Sequence, residues 1–211
     1  MKVLILNGSP HANGATYTAI HEMEVVFEKS GVEYETLHIG SKDIRGCIAC
    51  GSCAKNGRCV FDDIVNETAP KFADADGLVV ASPVYYASAN ATLIAMLDRL
   101  FFSTHFDKRM KVGAALATAR RGGITATFDE LNKYFTICGM PVASGQYWNG
   151  FHGPSTAERD RTDLFDQDKE GRQMMRTLAH NMVFLMKSIQ LGKEQFGLPE
   201  REEPARTNFC R

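Results

Sequence analysis

The stretch KVLILNGSPHANGAT, residues 2–16, indicates the first strand, loop and helix of the fold. Its first part, Lys2–Asn7, is a short apolar run that predicts a buried strand, and a loop of small and polar residues follows at once. Gly14–Ser30 then carries apolar residues at helical spacing, and Gly31 ends that pattern. A strand, a short loop and a helix in this order predict the first unit of a parallel α/β sheet.

The same alternation continues along the chain. Further strands are predicted at Glu33–Ile39, Gly77–Ser82, Lys111–Thr118 and Met140–Trp148, and helices at about Asp62–Ala73, Asn90–Ser103, Gly122–Cys138 and Asp168–Lys193. The half-polar second strand is expected near a sheet edge, and the uncharged third strand is expected to be buried on both faces. We predict one doubly wound α/β domain over residues 1–198 and an extended tail over residues 199–211.

The composition argues against several classes of protein. The 211 residues carry a formal net charge of -1, with a pI of about 6.6, which gives no support to a nucleic-acid partner. Residues 77–97 hold no charge, but Pro83 and polar neighbours interrupt them, so we predict strand, turn and helix rather than a membrane span. The opening MKVLILNGSP has too short an apolar run for a signal peptide. We therefore expect a cytoplasmic protein, in which structural disulfides are a poor default.

The loop NGSPHANGAT, residues 7–16, has the features of a phosphate cradle. Small residues let backbone N–H groups converge on an anion, and the helix that follows adds the positive end of its dipole. Ser9, Asn13 and Thr16 offer further donors. The sequence lacks GxxxxGK[ST] and GxGxxG, so neither a nucleoside triphosphatase nor the standard dinucleotide site is indicated. The loop suits a single terminal phosphate, and an ordinary strand–helix turn is the alternative.

Two more loops are predicted at the same edge of the sheet. SPVYYASAN, residues 82–90, follows the third strand and offers Tyr85 and Tyr86 as an aromatic wall. TARRGG, residues 118–123, follows the fourth strand, and its glycines allow a backbone to approach a ring closely. Together with the phosphate cradle, these loops predict a site for a mononucleotide with a flat ring system, which points to FMN.

At this point the sequence resembles a known family. GSPHANGAT, followed by SPVYYASANATLIAMLDR, is similar to the motifs of the NADPH-dependent FMN reductase superfamily. With a four-cysteine stretch at residues 47–59, the chain resembles the iron–sulfur flavoprotein branch, over roughly residues 1–150. The resemblance implies a flavodoxin-like three-layer α/β sandwich with a five-stranded parallel sheet of order 2-1-3-4-5. It would bind FMN at the topological switch point and carry an extra C-terminal helix and arm.

The resemblance also implies cofactor contacts. It implies contacts to the FMN phosphate by Ser9, Asn13, Gly14, Ala15 and Thr16, and contacts to the ring and ribityl chain by Pro83, Val84, Tyr85, Tyr86, Ser88, Ala119, Arg120, Gly122 and Gly123. His11 departs from the arginine that is common in the family, and Ala15 from the common asparagine. Arg120 and Arg121 form an unusually basic pair, which suits either an NADPH phosphate, an anionic substrate or a solvated loop face. Family members are commonly dimers or tetramers, so a homodimer or homotetramer is expected.

The cysteine stretch CIACGSCAKNGRC allows several interpretations. Cys47, Cys50 and Cys53 follow one another at the spacing of an iron–sulfur run, and Cys59 lies close behind. The small residues between them leave room for a [4Fe–4S] cluster and supply backbone N–H groups to its sulfurs. The alternatives are a zinc site, disulfides, or thiols that hold no stable cluster. Cys138 and Cys210 are expected to be a core residue and a tail residue.

These features predict an FMN-dependent oxidoreductase or electron-transfer flavoprotein. Electrons would pass from NAD(P)H or reduced ferredoxin to a small-molecule acceptor such as a quinone, or to a redox partner, through the cluster if it is present. The flavin carries this chemistry, so no catalytic acid or base is predicted. The alternatives are a non-catalytic electron carrier, an FMN-only reductase, and a dehydrogenase in which segment 149–166, with Trp148, Phe151 and His152, forms a lid.

Overall fold

The fold is a parallel sheet between two helical layers, in a computed structural model that describes residues 1–154 and 162–203, with Ala205 and Thr207. The strands are β1 (Lys2–Asn7), β2 (Glu33–His38), β3 (Gly77–Tyr85), β4 (Ser88–Ala89), β5 (Val112–Ala119) and β6 (Gly150–His152). Their order is β2-β1-β3-β5-β6, all parallel, and β4 pairs antiparallel with the end of β3. The predicted order is confirmed, with β5 and β6 as its fourth and fifth strands.

The helices follow the apolar periodicity of the sequence. They are α1 (Ala15–Lys29), α2 (Ser52–Asn56), α3 (Ile64–Asp74), α4 (Ala91–Ser103), α5 (Ile124–Thr136) and α6 (Lys169–Phe196), with a short 3₁₀ helix at Thr162–Asp166. Within the described ranges, every helix is either too short or too polar to cross a lipid bilayer. The predicted helices are confirmed to within a few residues, whereas α2 and β4 were not predicted.

Each face of the sheet has its own apolar core. Successive residues of β3 point to opposite sides, so Val79 packs with α1 and α6 while Val80 packs with α3, α4 and α5. This explains why the strand lacks charge. In the sequence of α6, an apolar stripe at helical spacing predicts core packing; it consists of Met175, Leu178, Met182, Leu185, Met186 and Ile189. This stripe faces the sheet, and Met182 is fully buried against the strand start at Gly77. The predicted core role of this helix is confirmed.

The fifth strand was predicted in the wrong place. Met140–Trp148 forms only one isolated bridge, between Val142 and Gly113, and the chain then leaves the sheet. The chain returns to the sheet as β6. Just before β6, the buried side chain of Asn149 makes a hydrogen bond to β5 in place of a strand backbone. The Asn149 side-chain amide donates to the carbonyl oxygen of Ala115 at 3.0 Å, and its Oδ1 accepts from the Gly145 N–H at 3.1 Å. A polar side chain thus replaces a ladder that the apolar pattern of 140–148 had suggested.

Candidate functional site

A cavity of about 270 Å³ opens at the carboxyl ends of β1, β3 and β5. Parallel α/β sheets bind ligands at this position. Here the chain continues from β1 toward one edge of the sheet and from β3 toward the opposite edge, which leaves a crevice between the two connections. The cavity is lined by Ser9, His11, Asn13, Gly14, Ala15, Thr16, Pro83, Val84, Tyr85, Thr118, Ala119, Arg120, Gly153, Pro154 and Phe165. The structure therefore brings together ten of the fourteen predicted cofactor contacts.

The loop after β1 is shaped by its own side chains. The Ser9 N–H donates to the side chain of Asn7 at 3.0 Å, and the His11 N–H donates to the Ser9 hydroxyl at 3.2 Å. Gly40, which follows β2, lies against this loop so closely that a Cβ there would collide with the backbone of Gly8 and Ser9. Gly40 thus supports one side of the loop backbone, and the other side of the loop faces the cavity.

The first turn of α1 is open to an anion. Gly14 precedes the helix without a capping side chain, and the first turn contains no acidic residue. Its N–H groups therefore add positive potential to the cavity. Thr16 and Thr118 share a hydrogen bond of 2.8 Å between buried hydroxyls, which joins the start of α1 to the end of β5. Backbone N–H groups beside hydroxyls form a donor set that fits a phosphate.

The aromatic wall contains one tyrosine rather than two. Tyr85 lines the cavity, and burial raises the pKa of its phenol. Tyr86 has a φ of 51° and is fully exposed, so its ring points into solvent. Ser88 donates to the carboxylate of Glu130 at 2.9 Å and lies outside the cavity lining. The tight turn between β3 and β4 separates these three predicted contacts.

The glycines after β5 lie in a neighbouring cavity. Gly122 and Gly123 line a space of about 320 Å³ together with Tyr147 and Trp148. Gly123 has a φ of 94°, and a Cβ there would press on Val84 and on the backbone of Ala87, so the close approach expected of a glycine is present. The predicted ring contacts at these two positions thus border the second cavity rather than the first.

Several lining residues were not predicted as contacts. Thr118 ends β5 at the carboxyl edge, and its position after an apolar strand was the signal that could have identified it. Gly153, Pro154 and Phe165 follow β6 or precede α6, and no local pattern marks them. Phe151 is fully buried in the core, so it cannot belong to a lid. Residues 155–161 of that segment lie outside the described residues, as does Cys210.

All four cysteines of the 47–59 stretch line one small apolar cleft beside α4. Each is a free thiol; Cys47 and Cys50 are exposed, Cys59 is half-buried and Cys53 is buried. The stretch folds as a loop around α2, whose two flanking glycines adopt the left-handed conformation. The shared cleft is the first condition for a common ligand.

A buried cation borders this cleft. Arg99 of α4 is only 1% exposed, and its guanidinium makes a two-pronged ion pair with Asp63 at 2.7 and 2.9 Å. The Arg99 Nε also donates to the Cys59 Sγ at 3.3 Å. Burial lowers the pKa of Arg99, but hydrogen bonds to Asp63 and Cys59 outweigh it, so the pKa lies above its ordinary value. Asn66 fixes the same turn by accepting from the Cys59 N–H at 3.1 Å.

The donor set of the cleft fits an iron–sulfur cluster. Four thiols share it, the Ala49 N–H donates to the Cys47 Sγ at 3.4 Å, and Arg99 places positive charge beside Cys59. In the part of the chain that the structure describes, no three Cys, His, Asp or Glu side chains stand around one point as a single metal ion requires. A cubane spreads its thiolates wider than one ion does.

This sheet order, with a phosphate-type cavity at its switch point, defines a flavodoxin-like protein. The chain belongs to the NADPH-dependent FMN reductase family, whose model matches residues 1–153. The family supports FMN as a cofactor of this chain, and with it an FMN oxidoreductase.

Two relatives match almost the whole chain. An iron–sulfur flavoprotein of Methanocaldococcus jannaschii is 30% identical over 193 residues, which are 90% of this chain and 100% of the relative. One of Methanosarcina thermophila is 30% identical over 199 residues, which are 92% and 100% of the two chains. Among solved structures, RosB with bound 8-demethyl-8-formylriboflavin-5′-phosphate is similar in fold, with a TM-score of 0.64 at 18% identity over 100% of this chain and 92% of RosB.

Proposed function

We propose that this protein is an electron-transfer oxidoreductase that uses FMN together with a [4Fe–4S] cluster. The observation that carries the proposal is the cleft in which four free cysteines lie together beside the buried cation Arg99. The names of the two relatives, both iron–sulfur flavoproteins, support the same pair of cofactors.

Different residues of the chain would contact the phosphate and the ring of FMN. The first turn of α1, with Ser9, Asn13 and Thr16, offers donors to the phosphate. Pro83 and Tyr85 flank the space for the ring on one side, and Ala119 borders it on the other. When bound, FMN supplies hydride acceptance from a nicotinamide and transfer of single electrons. A tyrosine phenol is protonated at neutral pH, and burial raises the pKa of Tyr85 further, so this side chain brings no charge to the ring.

Cys47, Cys50, Cys53 and Cys59 would hold the cluster, which supplies single-electron transfer. Arg99 and Asn66 fix the turn that carries Cys59, so this ligand is positioned before any metal binds. A fixed ligand loses less conformational entropy on binding than a mobile one.

We further propose a cytoplasmic homodimer or homotetramer that takes electrons from NAD(P)H or reduced ferredoxin. The acceptor is a quinone-like small molecule or a redox partner. Ile48, Val60 and Phe102 are exposed apolar side chains around the cysteine cleft. Such a patch supports contact with another subunit or protein at the place where electrons would leave.

The decisive experiment is an anaerobic purification followed by an absorption spectrum and a count of iron and sulfide. We expect flavin bands and about four irons per chain. Cys59→Ser should lower the iron content, whereas Cys138→Ser should not, because Cys138 lies outside the cysteine cleft. Flavin without iron after reconstitution would contradict the cluster, and a colourless protein that cannot take up FMN would contradict the flavin.

A second candidate is an FMN reductase, or a plain electron carrier, without a cluster. The exposure of Cys47 and Cys50 favours it, because exposed thiolates leave a cluster open to air. Steady-state oxidation of NAD(P)H with a quinone separates enzyme from carrier, since a carrier turns over little small-molecule acceptor.

A further inference from the structure

The second cavity adjoins the first along two stretches of chain. Arg120 lines the first cavity and Arg121 the second, and the same holds for Gly153 and His152. The second cavity has a volume of about 320 Å³ and lies between the starts of α5 and α6. A ligand bound in the first cavity can therefore extend into the second cavity along these shared walls.

An aromatic pair stands at the second cavity. The rings of Tyr147 and Trp148 are 4.4 Å apart at an angle of 62°, and the two residues remain 61% and 50% exposed. Aromatic side chains of this size are usually more buried, so their exposure beside a cavity suggests a face for a planar ligand.

The pair is held in place by its neighbours. The Asn149 side chain is buried and bonded to β5, and the Gly150 N–H donates to the Trp148 carbonyl at 2.6 Å. On the other side, the Asn181 side chain of α6 donates to the Ser144 carbonyl at 2.7 Å. The backbone on both sides of the aromatic pair is therefore fixed, which reduces the entropy cost of binding.

The one cation at this cavity has no ion-pair partner in the described ranges, and its two carboxylates lie together at the start of α6. Arg121 is exposed on its rim, and no carboxylate in the described ranges forms an ion pair with it. Of the two acidic residues at the cavity, Asp168 is already engaged. Its carboxylate accepts from the N–H groups of His152 and Gly171 at 2.6 and 2.9 Å. The positive start of α5 adds to the charge of Arg121.

We propose that the second cavity binds the adenosine-phosphate half of the nicotinamide dinucleotide. Trp148 and Tyr147 stack on the adenine, and Arg121 pairs with a phosphate. The inference rests on the proposed function, because it takes NAD(P)H as the donor. A dinucleotide whose nicotinamide stacks on the flavin in the first cavity needs a separate binding place for its adenosine phosphate. The second cavity adjoins the first and offers an aromatic pair and the cation Arg121.

The test uses Trp148, which is the only tryptophan of the chain. The FMN-loaded protein is titrated with adenosine 2′,5′-bisphosphate, 5′-AMP, nicotinamide mononucleotide and inorganic phosphate while tryptophan fluorescence is recorded. We expect a saturable change with the two adenosine phosphates and none with inorganic phosphate. Arg121→Gln should weaken adenosine-phosphate binding by about tenfold, the cost of one charge-assisted contact. Arg58→Gln, on the distant cysteine loop, should leave it unchanged.

A kinetic measurement separates this inference from the proposed function. In NADPH oxidation, Trp148→Leu should raise KM by about tenfold with kcat retained, because it removes binding remote from the reacting ring. An unchanged KM, or no saturable fluorescence change in the wild-type protein, would overturn the inference even if NADPH reduces the flavin. If NADPH does not reduce the flavin but adenosine phosphates bind with the expected Arg121 dependence, the adenosine site stands and the proposed donor fails.

Discussion

The Nε of Arg99 donates a hydrogen bond to the Sγ of Cys59 across 3.3 Å, from a guanidinium that is almost fully buried. The same guanidinium is paired with Asp63, the residue that caps α3 by accepting from the Val65 N–H at 3.1 Å. One side chain of α4 thus ties the last cysteine of the loop to the start of the next helix. A cation this close offsets part of the negative charge that cysteine ligands bring to a metal cluster.

We predict that Arg99→Met destabilises the metal-free protein by about 3 kcal/mol, because Asp63 then loses its partner in a largely buried site. Iron content after anaerobic reconstitution should fall as well. Arg99→Lys should fold better than Arg99→Met but still lose iron, since one ammonium cannot make the two-pronged contact and reach Cys59 together. Urea unfolding and an iron count measure the two effects.

The matched control for Arg99 is Arg58 on the same loop. Arg58 pairs with Asp62, but both side chains are exposed, so Arg58→Gln should change stability by less than about 1 kcal/mol and leave iron content unchanged. If Arg58→Gln and Arg99→Lys lost the same amount of iron, the special position of Arg99 would be refuted.

A second prediction concerns the floor of the phosphate loop. In Gly40→Ala, the new methyl group collides with the backbone of Gly8 and Ser9, so the loop must shift upward into the cavity. We expect FMN affinity to fall by at least about tenfold, which corresponds to about 1.4 kcal/mol. Fluorescence titration of the apoprotein with FMN measures it. Gly192→Ala in α6 is the control, because a Cβ there meets no atom within 4 Å; equal affinity losses in both variants would count against the loop as the cause.

The layout of this fold could be predicted from sequence because burial dictates it. The uncharged run from Gly77 has to lie between two apolar layers, and β2 with its polar residues has to lie at an edge. Since the carboxyl ends of parallel strands meet at one edge, the loops after β1, β3 and β5 were expected to meet there, whereas the strand order itself came from the family resemblance. Ten of the predicted contacts line that cavity for this reason.

The parts that sequence did not predict depend on single long-range contacts. Nothing local shows that Asn149 takes over hydrogen bonds of β5, so β6 was predicted too early in the chain. The positive φ of Tyr86, which turns its ring outward, follows from the two-residue turn before β4. Arg99 lies in an apolar helix pattern, and its partners are 36 and 40 residues away, beyond the reach of periodicity.

A third prediction uses the hydroxyl pair below the cavity. Thr16→Val and Thr118→Val each leave one buried hydroxyl without its partner, which costs about 1–2 kcal/mol. The double variant removes both groups and should be less destabilised than the sum of the two. Urea unfolding of the four proteins gives this coupling. FMN affinity should fall in the Thr16→Val variant, since the Thr16 hydroxyl can donate to the phosphate while it accepts from Thr118; strictly additive stabilities would show that the two hydroxyls do not interact.

The last prediction concerns Asn149, the buried amide that bonds Ala115 and Gly145. Asn149→Leu leaves the buried carbonyl of Ala115 and the N–H of Gly145 without these hydrogen bonds, so we expect a loss of about 1–3 kcal/mol in the free energy of unfolding. Because the amide also holds the loop that carries Trp148, the fluorescence of that ring should shift to longer wavelength and its anisotropy should fall. Asn56→Ala is the control, since its amide bonds only to the exposed Ser52 hydroxyl. A destabilised Asn149→Leu protein with unchanged tryptophan emission and anisotropy would mean that the aromatic pair is held by its contacts with α6 instead.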